Sequence, residues 1–259
     1  MSTNENESAS RAAKMWARSL ATLAAEVPEG VVEEGPSGAL LAFTGAPIPP
    51  LNGIFDVSDE PDPREIAALA ASAARQTTGP WSIHLFAEPS AKIRQVAAAH
   101  GLTRESRLPF LTVELDDETA AAPPLDGVRV RAVGGDEYKV YTDTLSAGFE
   151  MDPDIFTTIT SRQVLDSEHF TAYLAEHDGE PVATGLAAIA EGCAGVFNIS
   201  TPPRYRRRGY ARAMTRSILH AGYAAGARVA FLTPTEASRP LYESLGFRVT
   251  LEYTLFVAP

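Results

Sequence analysis

Asn198-Ile199-Ser200-Thr201-Pro202-Pro203-Arg204-Tyr205-Arg206-Arg207-Arg208-Gly209-Tyr210-Ala211-Arg212-Ala213-Met214 is the stretch whose reading decides the fold. A short apolar run, Gly195 to Ser200, ends at paired prolines, which cannot donate to a strand ladder. A basic turn with a single glycine follows, and then an Ala-rich amphipathic helix from Tyr210 to Ala225. The first N–H groups of a helix lack intrahelical partners and carry the positive end of its dipole. Gly209 lets an anion come close to those donors, and Ala211 and Ala213 keep the approach uncrowded. The pattern calls for a pyrophosphate-sized anion. A solvated helix cap and a nucleic-acid patch are competing readings of the same arginines.

Working outward, the downstream sequence reads as a strand (Val229–Leu232), a helix (Ser238–Leu245) and a last strand (Val249–Val257). Upstream, Val128–Arg131 alternates as a half-buried strand. Helices are predicted over 136–147 and 155–166, and a strand pair over 170–176 and 183–190 around the turn His177-Asp178-Gly179-Glu180. The segment 116–124 is charged and then rich in Ala and Pro, and it reads as a linker. Before it lie a helix from Arg11 to Ala25, strands at 31–33, 39–43 and 53–57, and a helix opened by Asp62-Pro63. A strand at 83–86, a helix at 90–99 stopped by Gly101, and a strand at 110–115 complete this half. Each half thus closes with strand, helix, Gly plus an apolar residue (Gly101-Leu102; Gly246-Phe247), then strand. That repetition suggests an internal duplication. The expected organisation is a disordered tail 1–10, an N-terminal domain 11–118, a linker 119–126 and a C-terminal domain 127–259.

The chain has 259 residues, 45% of them hydrophobic, so a sizeable core is expected. Cys193 is the only cysteine, which excludes an intrachain disulfide. No His/Cys/Asp cluster has ligand spacing, so no metal is expected. A net charge of −11 disfavours general binding to nucleic acid or anionic membranes. Against it stand Arg204, Arg206, Arg207, Arg208, Arg212 and Arg216 in one segment. The polar N-terminus shows no signal peptide, and no apolar run reaches the roughly 20 residues of a membrane span. A cytoplasmic location is the expectation.

The run Pro203 to Ala211 resembles the acyl-CoA signature of the GNAT superfamily of N-acetyltransferases. That signature is Arg or Gln, two residues, Gly, one residue, then Gly or Ala, and Arg206, Gly209 and Ala211 fill its places. The segment Thr235 to Phe247 resembles the superfamily's closing helix: Tyr242 and Gly246-Phe247 match, while Thr235 and Ser238 stand where Asn and Ala are common. The resemblance covers about Val128 to Val257. It implies an α+β fold, a mixed and mostly antiparallel sheet flanked by helices, with two such units in tandem and the first degenerate. Nothing before Asp116 reproduces the turn, and Ala97 stands where Tyr242 stands in the second half.

The resemblance also implies roles. Ile199, Ser200 and Thr201 would lie along the pantetheine arm of acetyl-CoA. Arg206, Arg207, Arg208, Gly209, Tyr210, Ala211 and Arg212 would hold its pyrophosphate, with Thr235 and Ser238 nearby. Tyr242 would protonate the leaving thiolate; a core tyrosine is the competing reading. A backbone N–H near Asn198 or Ile199 would stabilise the oxyanion. The loop Gly148-Phe149-Glu150-Met151-Asp152-Pro153 would shape the acceptor site, with Phe149, Glu150, Asp152 and Asn198 as candidate contacts. No general base is evident, and Glu150, Asp152, His169 and Glu191 are the candidates. The acceptor expected is the amine of a small molecule. A peptide amine, or a CoA-binding module without catalysis, is the alternative. Acyl length and oligomeric state stay open, a homodimer being one option.

Overall fold

Apolar and small residues recur at helical spacing from Ala9 through Ala12, Trp16 and Leu20 to Leu23, and all are buried. They form the inner face of α1 (Thr3–Glu26). The computed structural model describes residues 3–259. The chain divides into two units, one running to Phe110 and taking in Val249–Pro259, the other spanning Leu111–Arg248.

In the first unit β1 (Val31–Glu34), β2 (Leu40–Phe43) and β3 (Asn52–Asp56) form an antiparallel meander. The helix α2 (Pro63–Gln76) crosses to β4 (Ser82–Leu85), which lies parallel to β3. This pairing runs from Gly53↔Ser82 to Asp56↔Leu85, and the Phe86 N–H extends it by donating to the Asp56 carbonyl at 3.1 Å. The helix α3 (Ala91–Ala99), capped by Ser90, leads into β5 (Arg104–Glu114). The other neighbour of β4 is β11 (Arg248–Val257), antiparallel from Thr254↔Leu85 to Val257↔Ser82. Leu41, Ile54, Ile66, Ile83, Ile93 and Phe256 form its core.

In the second unit β6 (Val128–Val133), β7 (Thr171–His177), β8 (Glu180–Ala190) and β9 (Cys193–Ser200) are antiparallel in sequence order. The helix α6 (Tyr210–Ala224) then crosses to β10 (Val229–Leu232), which runs parallel to β9 and antiparallel to the last residues of β5. Tyr210, Met214, Ile218 and Gly222 recur every fourth residue along the buried face of α6. Burying Met214, Ile218 and Leu219 contributes roughly 1.5–3 kcal/mol each before entropy is counted. Three further helices, α4 (Tyr138–Phe149), α5 (Arg162–Leu165) and α7 (Arg239–Glu243), complete this unit. The sheets are mixed and mostly antiparallel, with flanking helices, as expected.

Several boundaries differ from the sequence reading. Residues 1 and 2 of the expected disordered tail lie outside the described residues, but 3–10 belong to α1, because Ser8 and Ala9 extend its buried face. The helix expected over 155–166 is broken. Asp152 caps a short 3-10 turn, Thr157 and Thr160 hydroxyls bond back to the carbonyls of Asp154 and Phe156, and Ser161 caps a new start at α5. The segment read as a linker is tied down within the second unit. Asp116 accepts from the Glu118 and Thr119 N–H groups, the Tyr223 hydroxyl of α6 donates to Asp117 at 3.0 Å, and Ala120 is buried. The units therefore do not divide at 119–126, and the final strand, expected in the C-terminal domain, is paired in the first unit. Among the described residues, no helix is long and apolar enough to cross a membrane.

Candidate active site

The parallel pair β9–β10 holds register through Cys193↔Val229, Ala194↔Ala230 and Gly195↔Phe231. Beyond that point β9 runs on to Ser200, while the next residue of β10, Leu232, pairs with Leu111 on its other side. The ladder between the two strands ends there, a splay that leaves the β10-facing backbone of Val196–Ser200 without a partner in β10. Backbone donors and acceptors at such a place call for a partner with strand-like polar groups. Inside this stretch Asn198 is left-handed (φ 52), and the pairing with β8 slips between Thr184 and Leu186. The result is a bulge. The Thr184 hydroxyl, fully buried, donates to the Asn198 carbonyl at 2.8 Å. The buried Tyr141 hydroxyl donates to the Gly185 carbonyl at 3.1 Å and also bonds the Asn198 side chain.

At the end of β9 the chain passes Pro202-Pro203 and turns into α6. Arg207 is left-handed (φ 65), and Gly209, at φ 88, is the residue before the helix. No side chain caps α6, and its first internal bond runs from the Ala213 N–H to the Gly209 carbonyl. The N–H groups of Tyr210, Ala211 and Arg212 are therefore donors without helical partners, at the positive end of a helix of 15 residues. The Arg207 and Arg208 side chains are exposed around them, Arg204 lies over the Tyr205 ring at 4.7 Å, and Arg212 donates to the Ser244 hydroxyl at 2.8 Å.

The end of α4 abuts the end of β9. A Cβ on Gly148 would meet the Ser200 Oγ at 1.8 Å, so only glycine allows this approach. The Ser200 hydroxyl donates to the Leu145 carbonyl at 2.9 Å. Arg206 reaches across. Its Nε donates to the Thr201 carbonyl at 3.1 Å, and one terminal nitrogen donates to the Gly148 carbonyl at 2.8 Å and pairs with the Glu150 carboxylate at 2.7 Å.

Residues 138–247 match the acetyltransferase (GNAT) family model. The likeness to that family is confined to the segment Tyr138–Phe247. A GCN5-related N-acetyltransferase from Kribbella flavida is similar over 96% of this chain and 95% of its own, at 22% identity and a TM-score of 0.65. A functionally unknown conserved protein from Staphylococcus epidermidis ATCC 12228 is similar over 88% of this chain and 94% of its own, at 11% identity and a TM-score of 0.64. Those likenesses concern the fold. No curated protein matches the chain. The chemistry of the GNAT family is acyl transfer.

Within the matched segment Tyr242 lies on α7, the element after β10, in the core cluster that also holds Val196 and Leu232. Its ring meets Phe247 edge-on at 6.0 Å, and burial pushes its hydroxyl up to about 12. Thr235 and Ser238 bond each other: the Thr235 hydroxyl donates to Ser238 Oγ at 2.9 Å, and the two backbone N–H groups donate to the opposite hydroxyls. Their side chains thus shape the turn into α7.

Of the acceptor-loop residues, Phe149 is exposed and stacks on Phe156 at 5.6 Å, Glu150 is left-handed (φ 57) and paired with Arg206, and Asp152 accepts from the Asp154 N–H at 2.9 Å. Glu191 sits in the turn before β9, at the opposite end of that strand from the splay, which removes it as a base for chemistry there. His169 is exposed in the turn before β7. Tyr141 and Thr184 had no signal in the sequence, because each acts by bonding a backbone group supplied by a distant segment.

Proposed function

We propose that the GNAT domain transfers an acetyl or short acyl group from acyl-CoA to the amine of a small molecule. The observation that carries this reading is the uncapped start of α6 beside the splay of β9 from β10. The backbone of Val196–Ser200 on the side without a β10 partner suits the amides of a pantetheine arm, and the N–H groups after Gly209, with Arg207 and Arg208, suit a pyrophosphate. Acyl-CoA supplies an activated thioester, which the neutral amine attacks directly. The bulge at Asn198 turns a backbone N–H of Asn198 or Ile199 toward the charge developing on the thioester oxygen. Tyr242 keeps its proton at neutral pH and can donate it toward the departing sulfur. Its shifted pKa lies above that of a thiol, about 8.5, so a hydrogen bond to sulfur accounts for more of its help than complete transfer. An acidic chain suits a cationic acceptor, and the cytoplasm is the compartment we expect.

We further infer that the first unit is a degenerate relative of the same unit. It has the same strand–helix–parallel strand order, but β3 and β4 stay paired to their ends. Asp62 caps α2, and the buried Glu65 of its first turn accepts from the Ser37 and Ala39 N–H groups at 2.9 and 3.3 Å. Those carboxylates take the place an anion would need.

A CoA-binding module without catalysis is a second reading, favoured by the placement of the candidate bases: Glu150 is ion-paired and Asp152 is engaged in a cap. Calorimetric titration with acetyl-CoA, followed by an amine panel scored by thiol release, tests both. The expected result is one site per chain and turnover with at least one amine. Binding without turnover favours the second reading, and a stoichiometry near two overturns the assignment of the first unit. Gly209→Asp puts a side chain and a negative charge at φ 88 beside the donors. Acetyl-CoA affinity is expected to fall at least about 100-fold with native circular dichroism; unchanged affinity reduces the turn to a helix cap.

A further inference from the structure

Arg206 fills the first place of the signature, yet all three of its side-chain contacts are to groups outside the start of α6. They join the end of β9 (the Thr201 carbonyl) to the last residues of α4 (the Gly148 carbonyl) and to Glu150 beyond it. The planar guanidinium suits this task, since its Nε and terminal nitrogens donate in different directions within one rigid fork. Gly148 and Ser200 complete the joint, the first by close approach and the second by its bond to the Leu145 carbonyl. Backbone groups here are thus fixed by a side chain that itself belongs to the turn. The Glu150 and Met151 N–H groups both return to the Ser146 carbonyl, so the loop is anchored at its start by helix-end bonds and held from across by Arg206.

We propose that Arg206 is a positioning residue that couples occupancy of the α6 turn to the order of the loop 148–153, rather than a ligand of the pyrophosphate. An anion settling on the N–H groups after Gly209 fixes the turn, the turn fixes Arg206, and Arg206 fixes the carbonyl of Gly148 and the carboxylate of Glu150. The cofactor is then bound before the acceptor loop reaches its working shape. This rests on the reading of the turn as the acyl-CoA site.

Amide hydrogen exchange on the full chain, with and without saturating acetyl-CoA, tests it, read at Glu150 and Met151. Wild type is expected to gain protection in 148–153 on adding acetyl-CoA. Arg206→Gln is expected to exchange about tenfold faster there, from loss of charge-assisted bonds, and to gain no protection with acetyl-CoA. Its acetyl-CoA dissociation constant should stay within about threefold of wild type, whereas a phosphate contact would cost more. Glu150→Gln, which leaves the backbone contacts of Arg206 in place, should lose part of the coupling with cofactor affinity unchanged. Lost cofactor affinity in Arg206→Gln with normal loop exchange overturns the proposal, as does a wild-type loop whose exchange ignores bound acetyl-CoA. If wild type does not bind acetyl-CoA, it is the acyl-CoA reading that fails, and faster exchange in Arg206→Gln without ligand still shows whether Arg206 holds the loop.

Discussion

Replacing Tyr242 by Phe keeps the ring against Phe247 and removes only a hydroxyl raised to about 12 by burial. If that hydroxyl serves the leaving sulfur, kcat should fall about 10- to 100-fold, the low end for a general acid, while the acetyl-CoA dissociation constant barely moves. A packing role alone would lower the melting temperature and spare turnover. Since this phenol keeps its proton, the wild-type rate should show no Tyr242-dependent decline below about pH 10. His84 gives a second prediction. It is fully buried, stacked on Phe55 at 4.6 Å, and burial lowers it from 6.5 to about 3. The hydrogen bonds select the tautomer of the neutral ring. The Ser82 hydroxyl has one proton and two carbonyl acceptors, Pro49 and Asn52, so the His84 Nε2–H donates to Ser82 Oγ and the partnerless Nδ1 is left as the bare lone pair. The unfolded chain takes up this proton below 6.5 and the folded one refuses it until about 3. Stability is therefore full above pH 6.5 and is lost as pH falls toward 3, by about 1.4 kcal/mol per unit at most. Urea titrations at pH 7 and pH 5 should show a smaller difference in His84→Phe than in wild type; an equal difference would place the acid sensitivity elsewhere.

At the scale of elements, the bulge in β9 is held by the hydroxyl of Thr184, a fully buried residue of the neighbouring strand. Thr184→Val preserves shape and strands the Asn198 carbonyl, costing about 1–3 kcal/mol. Because that carbonyl fixes the direction of the adjacent N–H groups, kcat should drop with cofactor affinity retained, and Thr184→Ser should restore both stability and rate. Equal kcat in the Val and Ser variants would detach the bulge from the chemistry. The strand β9, its prolines, the glycine turn and α6 were readable from sequence, since apolar run, breaker and amphipathic period follow one another locally. The bulge was not: asparagine tolerates the left-handed region better than most residues, but its use inside a strand depends on the register slip against β8, which only the paired sheet reveals. The region 155–166 misled for a related reason: its apolar spacing is helical, but threonine and serine hydroxyls offer the backbone other partners.

For the whole molecule, the decisive arrangement is that β4 is completed by β11 and β10 by the end of β5. The order strand, helix, glycine, strand is the same whichever unit the last strand joins, so the sequence pattern carries no trace of the exchange. Neither half of the sequence holds all the strands of its own unit. A chain cut within 119–126 should yield pieces that fail to fold separately and recover native circular dichroism and co-elution only when mixed. A C-terminal piece that folds and binds acetyl-CoA alone would show that β5 is dispensable to β10.

The same exchange bears on how the protein is born. Domains generally fold in the order they leave the ribosome, at roughly 5–20 residues per second. Here β4 emerges early, while the strand that covers its edge begins only at Arg248. For on the order of ten seconds, the nascent first unit displays a bare apolar edge, Ile83 and Leu85 among it, with its partner not yet synthesised. Ribosome stalling before Arg248 would then expose an aggregation-prone product from the part made first, and truncation ahead of β11 would injure the amino-terminal unit before the one that carries the turn.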